Sequence, residues 1–170
     1  QPMPNWADST VAVAPGLLAI TTLLVGTRNE GALCAWHEDG APYPWSPLRF
    51  TMDSDSSPAL ADLNRNGRLE IIFGDDEGFL HVITLDGHEL DGFPVFADSL
   101  IEASPSIADL DGDGWLDIAV GSWDGRMYLW NHRGELLPGW PVRVGDQIIS
   151  SAALVDLDGD DRLDIVVGSK

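Results

Sequence analysis

The 170-residue sequence predicts an all-β fold built from repeated units of about four short antiparallel strands, and three observations predict it. First, Ser57-Pro58-Ala59-Leu60-Ala61-Asp62-Leu63-Asn64 recurs as Ser104-Pro105-Ser106-Ile107-Ala108-Asp109-Leu110-Asp111 and as Ser151-Ala152-Ala153-Leu154-Val155-Asp156-Leu157-Asp158, each time after 47 residues. Second, later landmarks hold that register: Gly74, Gly121 and Gly168, then Gly78 and Gly125, Gly87 and Gly134, and Phe93-Pro94 with Trp140-Pro141. Third, short apolar runs are punctuated by Gly and Asp-Gly turns, and no stretch shows capped helical periodicity. Four short antiparallel strands recurring at this spacing are the blade of a β-propeller.

The unit at 103–149 displays the elements in order. Strands are predicted over Pro105 to Ala108, Leu116 to Val120, Arg126 to Trp130 and Trp140 to Val144. The second-strand runs Ile71-Ile72-Phe73, Ile118-Ala119-Val120 and Ile165-Val166-Val167 are continuously apolar, which predicts a strand covered by protein on both faces. A single blade cannot cover itself; neighbours stacked around an axis can. Extending the frame backward yields a weaker copy, in which Ser9 aligns with Ser56, Gly31 with Gly78, Gly40 with Gly87 and Pro47 with Pro94. There Pro15 stands in the position of Asp62 and Asp109, and Gly26 arrives one residue early. The predicted organisation is therefore the end of a preceding blade at 1–8, a first blade without an acidic loop at 9–55, blades at 56–102 and 103–149, and the first half of a fourth at 150–170. Propellers commonly close with about four to eight blades. About three and a half predict a partial propeller, either a fragment of a longer one or a body completed by another chain, which would otherwise leave raw strand edges.

Composition narrows the partners. A formal net charge of −19 excludes nucleic acid and anionic membranes, whose phosphates need clustered cations, and favours a cation. With 44% hydrophobic residues the chain is too apolar for a disordered acidic tail, so a folded body must carry those carboxylates. Its apolar stretches, Gly16 to Ile20 and Leu23 to Val25 among them, fall well short of the roughly 20 residues of a bilayer span. Gln1-Pro2-Met3-Pro4 lacks the basic start and apolar core of a signal peptide, so the sequence reads as a mature or excised form. Cys34 is the single cysteine and forms no internal disulfide.

Between the first and second strands of the later units lies a carboxylate loop, clearest at Asp109-Leu110-Asp111-Gly112-Asp113-Gly114-Trp115-Leu116-Asp117. Hard divalent cations take about six to eight oxygen ligands, and a tight loop with acids at alternate positions aims several at one point. Asp109, Asp111, Asp113 and Asp117 are predicted to donate side-chain oxygens and Trp115 its carbonyl, with Gly supplying the sharp turn. Calcium is the expected ion, because magnesium favours fewer protein ligands and the loop holds no His or Cys for zinc. An EF-hand would require Glu at the twelfth position and flanking helices; that position is Val120, in a β run. The loop of the second unit offers Asp62, Asn64, Asn66, the Arg68 carbonyl and Glu70, only two formal charges, and is expected to bind more weakly. The last offers Asp156, Asp158, Asp160, the Arg162 carbonyl and Asp164, with Asp161 in place of the turn glycine, a residue that tolerates the left-handed region. Up to three calcium ions are expected. Without ions, four carboxylates in one short loop would repel and raise their own pKa values; an isolated Asp could merely form a turn, but three copies in one register argue for a common ligand.

The stretch 104–121, Ser-Pro-Ser-Ile-Ala-Asp-Leu-Asp-Gly-Asp-Gly-Trp-Leu-Asp-Ile-Ala-Val-Gly, resembles the FG-GAP (VCBS-type) repeat of integrin α-subunit-like β-propellers. The resemblance extends from about residue 9 to 170, and the recurring Asp-Gly-x-x-Leu-x-Gly-Phe/Trp-Pro-Val ending is similar to that of bacterial secreted and surface members. It implies structural calcium in the loop between the first two strands and a role in adhesion or in protein or carbohydrate binding. It also implies an extracellular, cell-surface or periplasmic location.

Catalysis is not expected. His37, His81, His88 and His132 fall at unrelated phases of the repeat, each reading as a surface or strand residue, and no GxSxG, HExxH or phosphate loop occurs. Cys34 shares a third-strand phase with His81 and Tyr128 and reads as a buried thiol. Trp36 and Trp130 share a phase with Ile83, and Trp140 with Phe93, which predicts packing between blades. Trp123 and Asp124 lie in a turn where the other units carry Asp76-Glu77 and Asn29-Glu30. There the aromatic either stacks on a sugar or protein partner or folds back over a neighbouring blade. The expected function is a calcium-stabilised binding or scaffold module; the alternatives are a non-catalytic accessory propeller of a secreted polysaccharide-acting enzyme and an assembly subunit of a larger complex.

Overall fold

The computed structural model describes residues 12–14, 17–22, 31–37, 39–50 and 53–170. Among them the chain forms strands and turns only. The first sheet runs β1 (Ala12–Ala14), β2 (Leu17–Thr22), β3 (Gly31–Ala35), β4 (Leu48–Phe50) in spatial order. The second repeats it with β5 (Ala59–Ala61), β6 (Glu70–Gly74), β7 (Phe79–Ile83) and β8 (Val95–Phe96). The third follows with β9 (Ser106–Ala108), β10 (Asp117–Gly121), β11 (Arg126–Trp130) and β12 (Val142–Arg143). β13 (Ala153–Val155) and β14 (Asp164–Val166) pair as a two-stranded sheet. All neighbouring strands are antiparallel, as in stacked propeller blades.

The repeat in sequence is a repeat in register. Ala61 faces Glu70, Ala108 faces Asp117 and Val155 faces Asp164, so three hairpins open on equivalent residues and enclose equivalent loops. In the first sheet β1 and β2 are separated by only two residues, against eight between β9 and β10. The comparisons at Ser9, Pro15, Gly26, Asn29 and Glu30, and the stretch 1–8, lie outside the described residues.

Alternation along each strand sends side chains to opposite faces and so to opposite neighbours. Ile71, Phe73 and Ile83 pack with Leu33 and Ala35 of the first sheet. Ile72, Leu80 and Val82 turn the other way, onto Ile118, Val120, Tyr128 and Trp130 of the third. Ala119, Met127 and Leu129 then pack with Leu154, Ile165 and Val167. β6 and β10 are consequently buried at every residue. Trp130 is buried and stacks on Tyr128 at 5.0 Å, which places it between blades. β14 departs from the expectation: Val166 is 45% exposed and Leu157 68%, whereas Leu63, the equivalent of Leu157, is fully buried. The cause is local to that sheet, since no blade lies against its outer face among the described residues.

The crossings between blades are packed too. Ile101 and Ile148 are buried and sit directly on Gly74 and Gly121, where a Cβ would overlap their side chains. Ser56 donates to the Ala103 carbonyl at 3.1 Å and Ser106 to that of Ala152 at 2.6 Å, tying each blade to the next. Cys34 is buried and free, its thiol pKa pushed up by burial. His81 is buried in β7, with Nε2 3.2 Å from Asp75 and Nδ1 3.2 Å from Glu89.

Candidate metal centre

Each acidic loop is wound by its own side chains. Asp109 accepts the backbone N–H groups of Gly112 and Gly114 at 2.8 and 2.9 Å. Asp111 accepts that of Asp113 at 3.0 Å, and Asp113 that of Trp115 at 2.7 Å. Asp117 closes the loop by accepting from Leu110 at 2.8 Å. In the last loop Asp156 binds the N–H groups of Gly159, Asp160 and Asp161, Asp158 that of Asp160, Asp160 that of Arg162, and Asp164 that of Leu157. The loop at 62–70 repeats the scheme: Asp62 accepts from Asn66 and Gly67, Asn64 from Asn66, Asn66 from Arg68 and Glu70 from Leu63. Short polar side chains that bond backbone N–H groups a few residues on make such turns local and cooperative.

Two positions in every loop are left-handed. They are Gly112 and Gly114 (φ 79° and 88°), Gly159 and Asp161 (82° and 65°), and Arg65 and Gly67 (58° and 80°). Asp161 thus takes the conformation expected of it. Arg65 was not anticipated, although its register mates Gly112 and Gly159 carried the signal.

The winding brings carboxylates together. Asp109, Asp111 and Asp113 each place an oxygen within 4.8 Å of the others, and so do Asp156, Asp158 and Asp164. Calcium–oxygen bonds of about 2.3–2.6 Å put ligand oxygens at such separations. A carboxylate has about four lone-pair sites, so one that accepts one to three N–H bonds keeps room for a cation, and this all-oxygen donor set fits a hard divalent ion. Asp117 and Asp160 stand outside these two triads. Asp117 is buried, and its pKa is pushed up to about 6, first by burial and further by the charges of Asp111 and Asp113. Glu70 is likewise buried and raised, chiefly by burial. In that loop the Asn64 amide donates to Glu70 Oε1 at 2.9 Å, so a neutral donor occupies the place that Asp111 fills with charge. Asp156, more open, is lowered by the N–H groups it accepts, that of Gly159 foremost.

Neighbouring loops meet in two different ways. Between 109–117 and 156–164 lies a cleft of about 490 Å³, lined by Asp109, Asp111, Gly112, Asp160, Asp161 and Arg162. Between 62–70 and 109–117 the gap is bridged: the Arg65 guanidinium lies 4.1 Å over the Trp115 ring, which stacks on His132 at 4.2 Å and 14°.

The other predicted pair sits in the β10–β11 turn. Trp123 is 36% exposed, and its indole N–H donates to Glu102 at 2.9 Å. Asp124 is engaged internally, accepting from Arg126 N at 2.9 Å, Tyr128 Oη at 2.7 Å and Arg126 Nη1 at 3.3 Å.

Residues 109–167 match the model of the FG-GAP-like repeat family. That match and the all-β repeat fold together support a β-propeller architecture of FG-GAP-repeat type. Its fold is similar to that of the Vibrio cholerae biofilm matrix protein Bap1 (TM-score 0.63, 16% identity, 89% of this chain and 25% of that one). Similar too are the computationally designed proteins Ika8 (0.60, 15%, 87% and 40%) and Ika4 (0.61, 14%, 94% and 89%). The chain thus spans a quarter of the length of Bap1. No curated protein matches the sequence.

Proposed function

We propose that the chain is a calcium-stabilised propeller serving as a non-catalytic binding or scaffold module for protein or carbohydrate partners outside the cell or in the periplasm. The observation that carries the calcium reading is the convergence of three carboxylate oxygens within 4.8 Å in each of two register-related loops. Asp109, Asp111, Asp113 and Asp117 would hold one ion, and Asp156, Asp158, Asp160 and Asp164 a second. Asp62, Asn64, Asn66 and Glu70 would hold a weaker third, with the carbonyls of Trp115, Arg162 and Arg68 as further donors. The ion supplies positive charge that lets the clustered acids stay ionised in a folded body; the chain's own part is to pre-wind the loops through backbone N–H bonds.

The extracellular assignment rests on the repeat type and on the fold shared with a biofilm matrix protein. Trp123, aromatic and partly exposed, is the residue to test for a sugar or protein ligand. Val155, Leu157 and Val166 are exposed, while their equivalents Ala61, Leu63 and Ile72 are buried against the next blade. A blade-like apolar surface carried by more of the same protein or by another chain fits that face. Thermal unfolding with calcium and with chelator tests the proposal. Calcium should raise the midpoint of the wild type and raise that of Asp109→Ala/Asp156→Ala, which loses a carboxylate from both triads, much less; a midpoint indifferent to calcium would refute the metal reading. Glycan and protein arrays probed with the wild type and Trp123→Ala test the ligand.

A further inference from the structure

Arg65 is the one non-glycine at the fourth position of the three acidic loops, and its backbone is left-handed at φ 58°, a conformation that costs an L-residue energy. Its side chain leaves its own loop and crosses to the next blade. The guanidinium lies 4.1 Å above Trp115, whose other ring contact is His132 at 4.2 Å, and Arg65 Nη2 is the nearest atom that a Cβ on Gly114 would meet, at 3.6 Å. Gly114 and Trp115 belong to the loop whose acids converge, and the Trp115 N–H is bound by Asp113. At the next boundary the equivalent of Arg65 is Gly112, which has no side chain, and an open cleft separates the loops. The bridge is therefore particular to one pair of loops.

We infer that Arg65 and Trp115 are positioning residues that couple the loops at 62–70 and 109–117, so that a cation held by the first orders the second. This rests on the calcium reading above. A cation in loop 62–70 fixes the backbone around Arg65, since Asn64 and Asn66 flank it; the fixed guanidinium then holds Trp115 and, through its N–H, the Asp113 carboxylate. Linkage makes the effect reciprocal. A cation–π contact of this kind corresponds to a coupling of about two- to fivefold.

The test is hydrogen exchange in the variant Asp109→Ala, whose loop 109–117 loses one carboxylate of its triad and is disabled as a calcium site, with and without calcium. Added calcium should slow exchange of amides 62–70 and also slow those of 109–117 by about two- to fivefold. Arg65→Gly in that background restores the residue type of the other loops and relieves the backbone. It should keep protection at 62–70 and abolish it at 109–117, and Trp115→Leu, which leaves the Trp115 carbonyl donor in place, should do the same. Protection at 62–70 alone with Arg65 and Trp115 intact would overturn the coupling while leaving the calcium reading standing. Protection at neither loop would overturn the coupling, and the calcium reading would fall with it if the wild-type chain also bound no calcium by mass.

Discussion

Asp117 accepts the Leu110 N–H at 2.8 Å from a fully buried position, whereas Asp164 makes the equivalent bond to Leu157 at 2.9 Å in solvent. The same bond should therefore matter differently in the two loops. Measured by urea unfolding in metal-free buffer at pH 5, where the Asp117 carboxyl, held near 6, is largely protonated, Asp117→Ala should cost about 1–3 kcal/mol. Asp164→Ala should cost less than about 1 kcal/mol, because water replaces the lost acceptor. Equal losses would contradict the burial argument.

His81 is expected to make the fold less stable as pH rises. Burial alone would lower its pKa, but hydrogen bonds and charge from Asp75 and Glu89 outweigh burial and hold the imidazole at about 9 against an ordinary 6.5. A raised folded pKa on a base means that the native state keeps a proton the unfolded chain loses. The stabilisation is full below pH 6.5 and is lost as pH rises through 9. Unfolding free energy should fall over that window by on the order of 3 kcal/mol. The fall should be absent in His81→Phe, whatever its absolute stability; an unchanged slope in that variant would assign the loss elsewhere.

Asp76 acts in the opposite sense. Burial, together with Asp55, Asp53, Asp75 and Glu102, pushes its carboxyl up to about 6, and its Oδ1 is buried without a hydrogen-bond partner. A raised folded pKa on an acid lowers stability as pH rises from 3.8 through 6, because the native state resists losing its proton. Asp76→Asn should thus stabilise the chain at pH 7 by about 1 kcal/mol after solvent screening. The gain should vanish at pH 4, and a gain equal at both pH values would show that charge is not its cause.

Gly74 and Gly168 occupy the same repeat position but face different surroundings. A Cβ on Gly74 collides with Ile101, while one on Gly168 meets only Ser150 Oγ at 3.8 Å. Gly74→Ala should cost about 1–3 kcal/mol and Gly168→Ala close to nothing in thermal or urea unfolding. Similar costs at both sites would mean that backbone freedom, not the close approach, explains the glycines.

The blades and the loops were legible in the sequence because their causes are local. Asp and Gly at fixed offsets dictate turns through bonds to backbone only a few residues away, and a continuous apolar run such as Ile118-Ala119-Val120 requires cover on both faces. What depends on a neighbour was not legible. Val166 carries the same apolar signal as Ile72, yet its exposure is decided by what lies against the next face. Arg65 reads as an ordinary polar loop residue until it is aligned with Gly112 and Gly159, and even then nothing in the sequence points it at Trp115 in another blade. His81 found Asp75 six residues before it and Glu89 eight after, partners that its register mates Cys34 and Tyr128 lack. Asp124, a candidate for ligand contact by its place in the turn, is held by Tyr128 and Arg126, a pairing set by how β11 folds back on the turn.

Native mass spectrometry of the chain before and after chelation tests most directly whether the acidic loops hold calcium. Up to three bound ions are expected, with that of loop 62–70 lost first as calcium falls, one fewer ion in Asp109→Ala, and bare protein mass after chelation. A mass that is the same in calcium and in chelator would contradict calcium binding by these loops.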